Sequence, residues 1–158
     1  MFEIVLLPLQ AVLDHVVRGV AKRQAGVFER LGHHAASTYL IDPVNLPIVL
    51  VLKPDPQSPQ LRACWRRTAP KADCRITGSF LTLLALVDGR RDGDALFFSR
   101  DLMVTGDIDA VVTLRNALDD LDVTLVEDII DAAGPLQRPL AGLMQFLRSF
   151  DTGKARHV

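Results

Sequence analysis

Apolar and polar positions recur along this chain with two periods, helical and strand-like, and each switch marks an element. From Leu9 onward, Leu13, Val16, Val20, Val27 and Leu31 keep one helical face, while Asp14, Arg18, Lys22, Arg23 and Glu29 fill the rest. This spacing predicts one amphipathic helix closed by Gly32, since glycine readily takes the left-handed conformation that ends helices. Residues 1–8 are apolar, end at Pro8, and read as an unsettled lead-in. Thr38 to Ile41 and Ile48 to Leu52 predict strands, parted by the breaker pairs Asp42-Pro43 and Leu46-Pro47. Residues 48–52 are apolar on both faces, as a central strand covered on each side requires. Three prolines between Pro54 and Pro59 predict a turn. Leu61, Ala63 and Trp65 then alternate with Arg62, Cys64 and Arg66; residues 68–72 turn the chain, and Asp73 to Thr77 return it as the second arm of a hairpin.

The second half opens on Ser79, an expected N-cap for a helix with the stripe Phe80, Leu83, Leu84 and Val87, ended by Asp88-Gly89. Leu102 and Val104 alternate with Asp101, Met103 and Thr105, a strand with one apolar face. Gly106 supplies the positive φ that a strand-to-helix corner needs, and Asp107 stands where an N-cap belongs. Asp109 adds negative charge to the first turn, and Val111, Leu114, Leu118 and Leu121 share one helix face. A further helix is predicted over Leu125 to Ala133, stopped by Gly134-Pro135. A last one starts near Pro139 and carries Leu140, Leu143, Met144, Leu147 and Phe150; residues 151–158 read as a frayed tail.

Composition narrows the class. With 158 residues, the chain is expected to form one domain that buries about 68–70% of its unfolded surface. Hydrophobic residues make up 49% but aromatics only 6%, so the apolar excess is aliphatic, enough to fill a core or to line a cavity as well. A net charge of −1 offers no field for nucleic acid. Cys64 and Cys74 are too few for a disulfide framework or a zinc site, and a reduced pair is expected. The N-terminus shows no basic region or small-residue cleavage site, and no apolar run reaches the ~20 residues of a membrane span. A soluble cytoplasmic protein is the expectation.

Catalytic signatures are absent: there is no phosphate-binding loop, dinucleotide fingerprint or nucleophile elbow. The loop 88–94 resembles a calcium loop only superficially, because Leu96 stands where an oxygen donor is needed. His33 and His34 invite a metal reading, but neighbours cannot share a helix face and no third ligand has suitable spacing, so surface or helix-end histidines are expected. Arg62, Arg66, Arg67, Lys71 and Arg75 cluster on the expected hairpin, either as a solvated sheet face or as a weak attractor of anionic headgroups. The carboxylates between Asp119 and Asp131 read as solvated charge or as a docking surface for a partner. No catalytic residue, metal ligand or cofactor is expected.

One stretch carries a resemblance. Phe97-Phe98 through Thr105-Gly106-Asp107 resembles the aromatic–strand–Gly-Asp segment of the sterol carrier protein type-2 superfamily. The run Asp92 to Asp101, with Leu114 to Asp120, Arg30-Leu-Gly32 and Ile41 to Pro47, is similar to its ubiquinone-biosynthesis accessory branch, UbiT or YhbT. Ile108 departs from the threonine usual after Gly-Asp in that branch. The resemblance implies an α+β fold: a single mixed or antiparallel twisted sheet of about five strands, covered by helices and enclosing an apolar cavity. On that basis residues 1–32 form an N-terminal helical segment, 33–135 the lipid-binding domain, and 136–158 a C-terminal helix and tail. It also implies a non-catalytic carrier of polyprenylated ubiquinone precursors or phospholipid, handing cargo to the hydroxylases UbiU and UbiV and touching the inner membrane peripherally. The candidate lining is Phe80, Leu83, Leu84, Val87, Phe97, Phe98, Leu102, Val104, Val111, Leu114 and Leu118, with plain core packing the leading reading for each taken singly. A protein-interaction module with a filled cavity is the alternative.

Overall fold

A computed structural model of the protein describes residues 2–23, 26–87 and 99–119. The elements in chain order are helix α1 (Phe2–Arg23), helix α2 (Gly26–Glu29), strands β1 (Tyr39–Pro43), β2 (Ile48–Lys53), β3 (Gln60–Trp65) and β4 (Cys74–Gly78), helix α3 (Phe80–Val87), strand β5 (Leu102–Gly106) and helix α4 (Ile108–Asp119). A 3-10 turn, Gly32–Ala36, links α2 to β1, and a second, Arg66–Thr68, follows β3. The predicted helices at 125–133 and 140–150, and Leu121, lie outside the described residues.

The five strands form one mixed sheet in the order β3-β2-β1-β4-β5. β1 pairs antiparallel with β2 and parallel with β4; β2–β3 and β4–β5 are antiparallel. Side-chain alternation then sorts the sheet into two faces. Tyr39, Ile41, Leu52, Leu61, Cys74, Ile76, Leu102 and Val104 lie on one face, in a single cluster with Val17, Val27, Phe28 and Leu31 from the N-terminal helices and Val111 and Leu114 from α4. Leu40, Val49 and Val51 point the other way, under Ala69 and Ala72 of the β3–β4 connection. β2 is therefore covered on both sides, as its unbroken apolar run requires.

Two expectations are corrected. Residues 1–8 are not a lead-in: α1 begins at Phe2 and runs through Pro8 to Arg23. Four of the five face positions nonetheless end up buried: Val16, Val20, Val27 and Leu31. Packing on the sheet, rather than local propensity, decides where such a helix starts and stops. Gly32 takes φ +56°, the left-handed conformation expected of it.

The predicted β3–β4 hairpin also does not form, because β4 lies beyond β1, with β2 and β1 between it and β3. The outer edge of β3 is already occupied. The Gln10 side chain of α1 donates to the Leu61 carbonyl at 3.0 Å and accepts from the Ala63 amide at 3.0 Å, so a side-chain amide satisfies the open edge. For the same reason Cys64 and Cys74, on strands three interstrand spacings apart and offset by three residues along them, sit roughly 17 Å from one another and remain free.

Local capping follows the sequence closely. Ser79 Oγ accepts from the Thr82 amide at 3.1 Å, and the Phe80 amide donates to Asn45 Oδ1 at 2.8 Å. Asp107 Oδ1 accepts from the Ala110 amide at 3.1 Å. Ser79→Ala is expected to cost about 1 kcal/mol of stability, the usual value of an N-cap. Urea denaturation checks this, and a loss under ~0.3 kcal/mol would mean that Asn45 alone serves the helix end.

Candidate functional site

The predicted lining begins where β4 meets α3. Gly78 closes β4 without a side chain, and the space above it is taken by Leu83 from α3 and Leu102 from β5. A Cβ added there would lie 3.5 Å from Leu102 Cδ1 and 3.7 Å from Leu83 Cδ2. Across the sheet, the parallel pairing of β1 with β4 sets Ile76 beside Ile41, and the antiparallel pairing of β4 with β5 sets it beside Val104. α4 presents Val111 and Leu114 to the same cluster, with Leu118 packed at its margin. Leu83, Leu102, Val104, Val111, Leu114 and Leu118 thus meet on one side of one sheet. Phe80 sits half-buried at the start of α3. Leu84 and Val87 are on α3 with side chains outside the description, and Phe97 and Phe98 lie outside the described residues. Ala110 and Ala117 are buried on α4 but were not predicted, being too small to stand out in an apolar stripe.

Tyr39 anchors this region. It is fully buried, and its hydroxyl lies 3.3 Å from the His34 carbonyl and 3.2 Å from that of Ala110, so one proton serves both segments. Burial above all, helped by Cys74, Asp107 and Asp73, pushes its hydroxyl well above the ordinary value, which keeps it a neutral donor. Burial, followed by Asp107 and Asp73, likewise pushes the Cys74 thiol up to about 11. It is therefore an unreactive part of the apolar cluster rather than a nucleophile.

The arginine cluster divides. Arg66 donates from Nε and Nη2 to Asp42 Oδ1 at 3.1 and 2.8 Å, and Arg75 donates to Asp42 Oδ2. Asp42 is buried at 3% exposure inside β1, not the strand breaker the sequence suggested. Burial pushes its carboxyl up, but hydrogen bonds from Arg75 and Arg66, with their charges, outweigh it and hold the group below its usual range. Arg62 and Lys71 instead join Lys53 around an open cleft of about 310 Å³, floored by Val51, Ala63 and Cys64, with no acidic residue among the described residues of its wall. A second cleft, of about 430 Å³, runs between Gln10, Asp14 and Arg18 of α1 and Gln57 to Gln60. Among the described residues, none of the predicted apolar positions lines either cleft. Among the described residues no helix is long and apolar enough to cross a membrane.

The sheet order and the helices on one face define an α+β domain of the sterol-carrier class. The sequence model of the SCP-2 sterol transfer family matches residues 19–119, more than half of the chain, and the protein belongs to that family. Among solved structures, a protein titled UbiJ-SCP2 ubiquinone synthesis protein is 21% identical, with a TM-score of 0.52 over 74% of this chain and 90% of its own. A Thermus thermophilus protein described as possibly a sterol carrier protein is 19% identical, with a TM-score of 0.55 over 81% and 91%. At these identities both establish the fold. A comparison with curated protein sequences finds no match.

Proposed function

We propose that the protein is a non-catalytic lipid carrier, sheltering the tail of a polyprenylated ubiquinone precursor for oxygen-independent ubiquinone synthesis and presenting it to hydroxylases of the UbiU–UbiV kind. The observation that carries this reading is family membership over residues 19–119, combined with the convergence of Leu83, Leu102, Val104, Val111, Leu114 and Leu118 on one sheet face. Each CH₂ group moved out of water gains about 0.8 kcal/mol, so ten to fifteen sheltered groups supply roughly 8–12 kcal/mol. That exceeds the lower range of association costs. In this reading the tail inserts among those residues, and Phe97 and Phe98 complete the lining. The likeness to a ubiquinone synthesis protein supports the choice of a quinone precursor.

A second reading rests on the cleft with Lys53, Arg62 and Lys71: a phospholipid carrier that touches anionic bilayers. Solvent extraction of the purified protein followed by mass spectrometry separates the two. Stoichiometric quinone precursor supports the first, phospholipid the second, and a lipid-free protein that still captures partners would leave only an interaction module. Leu83→Glu, in a preparation shown to be folded by circular dichroism, is expected to retain almost no lipid. Placing an ionised carboxylate against a hydrocarbon tail costs about 3 kcal/mol or more, equivalent to ~100-fold in affinity. Undiminished lipid in the folded variant would move the tail elsewhere.

A further inference from the structure

The 3-10 turn between α2 and β1 brings together three side chains that the lipid reading does not use. His34 is buried, and its Nε2 lies 2.8 Å from Asp109 Oδ2 in the first turn of α4. His33 is exposed, yet its ring folds over that of His34, with centroids 3.9 Å apart and planes tilted by 40°. One ligand atom from each of His33, His34 and Asp109 lies within 4.8 Å of the others. Sequence neighbours do not ordinarily point the same way on a helix. Here the exposed ring of His33 has the freedom to swing over its buried neighbour.

We propose that His33, His34 and Asp109 form a binding site for one divalent transition-metal ion of the zinc type, which clamps the 32–36 turn to the N-terminus of α4. Two imidazoles and one carboxylate suit Zn²⁺, Co²⁺ or Ni²⁺; Mg²⁺ and Ca²⁺ prefer sites built wholly of oxygen. Nitrogen and oxygen ligands about 2.0–2.1 Å from a tetrahedral zinc stand roughly 3.3 Å apart. The present His34–Asp109 contact must therefore open by about half an ångström, and His33 must draw in by at most about one and a half ångströms. Both movements fall on exposed side chains, while the buried His34 stays put.

Three features favour the ion over a bare hydrogen-bonded pair. The two ligand-bearing segments are already held together by the Tyr39 hydroxyl between the His34 and Ala110 carbonyls, so binding orders only side chains. Asp107 Oδ2 lies 3.9 Å from His34 Nδ1, on the side where a carboxylate commonly orients a ligating imidazole. The positive end of α4 opposes a cation with about half a charge, but Asp107 and Asp109 bring two negative ones. Metal occupancy then stabilises α4 by linkage, and with it Val111 and Leu114.

The test is isothermal titration of the tag-free full chain with ZnCl₂, alongside melting curves and the visible spectrum with Co²⁺. One equivalent is expected to bind and raise Tm, and the Co²⁺ bands should show nitrogen and oxygen ligation without thiolate charge transfer. His33→Gln and Asp109→Asn, both at exposed positions that leave the core intact, should each weaken Zn²⁺ at least ~10-fold. Unchanged affinity in both variants, no binding by the wild type, or loss on Cys64→Ser instead would overturn the assignment. Lipid extraction read in parallel is independent of these outcomes.

Discussion

Gly106→Ala is expected to destabilise the protein by about 3 kcal/mol or more, far beyond an ordinary glycine replacement. The residue takes φ +84°, a region that costs an L-amino acid roughly 1–2 kcal/mol. Its surroundings add the larger part. A Cβ there would stand 2.4 Å from the Asp73 carbonyl oxygen and 2.9 Å from Cys74 Cα, backbone atoms where the paired strand β4 begins. The strand cannot retreat cheaply. The same Asp73 carbonyl accepts from the Asp107 amide at 2.9 Å, its own amide donates to Thr38 O at 2.9 Å, and its carboxylate takes the Thr38 amide at 2.7 Å. Gly32→Ala is the control: φ is +56° but nothing lies within 4 Å of the added carbon. It should cost only the conformational part, about 1–2 kcal/mol, less the few tenths regained by stiffening the unfolded chain. Equilibrium urea denaturation of both variants reads the difference; equal losses would show that the β4–β5 corner yields more easily than its hydrogen bonds suggest.

Asp42→Asn is expected to cost about 2–3 kcal/mol at neutral pH. Removing one member of a buried ion pair typically costs 3–5 kcal/mol, but the Arg66 and Arg75 side chains are 36% and 43% exposed and regain water, which lowers the figure. The loss is spread over much of the sheet's end. Arg66 also donates to the Pro43 and Leu46 carbonyls, so the carboxylate fastens β1, the 43–47 turn, the segment after β3 and β4 at one point. The pH dependence has a definite sign. The folded carboxyl lies below its ordinary value of 3.8, so its contribution is complete above that value and is lost as pH falls through the lower folded value. Wild type should therefore lose stability on acidification below about pH 4 more steeply than Asp42→Asn. Parallel slopes would mean that the two arginines do not stabilise the ionised form.

Where sequence reading succeeded, the deciding interactions span three or four residues. Ser79 and Asp107 cap the helices that follow them, and Gly106 turns the corner, because each acts on amides or dihedrals within one helical turn. The apolar stripe of α4 and the single apolar face of β5 follow from periodicity alone. The lipid-facing candidates on those elements could be named without any knowledge of their partners. Whether Leu83 would meet Leu102 was another matter, since that depends on Gly78 leaving room between them.

Strand pairing and charge pairing were not legible, for a common reason. A chain segment offers hydrogen bonds and charge to any neighbour, and sequence distance does not say which neighbour arrives first. The residues after Trp65 looked like a turn to the next strand, yet Gln10 had taken the free edge of β3, and β4 completed the unpaired side of β1. Arg66 and Arg75 looked like surface charge until the sheet order set both against Asp42.

By itself, the order of residues determined the five strand segments, helices α3 and α4 with their caps, the glycine at the β5–α4 corner and the stock of aliphatic side chains available to fill a core or shelter a hydrocarbon. Only the tertiary structure decided that β4 runs parallel to β1, that Asp42 is an anchor, and that Asp109 comes to rest against His34 from 75 residues away. Local rules act through bonds and amides a turn apart, whereas these contacts exist only after burial of the shared apolar face has brought distant segments together.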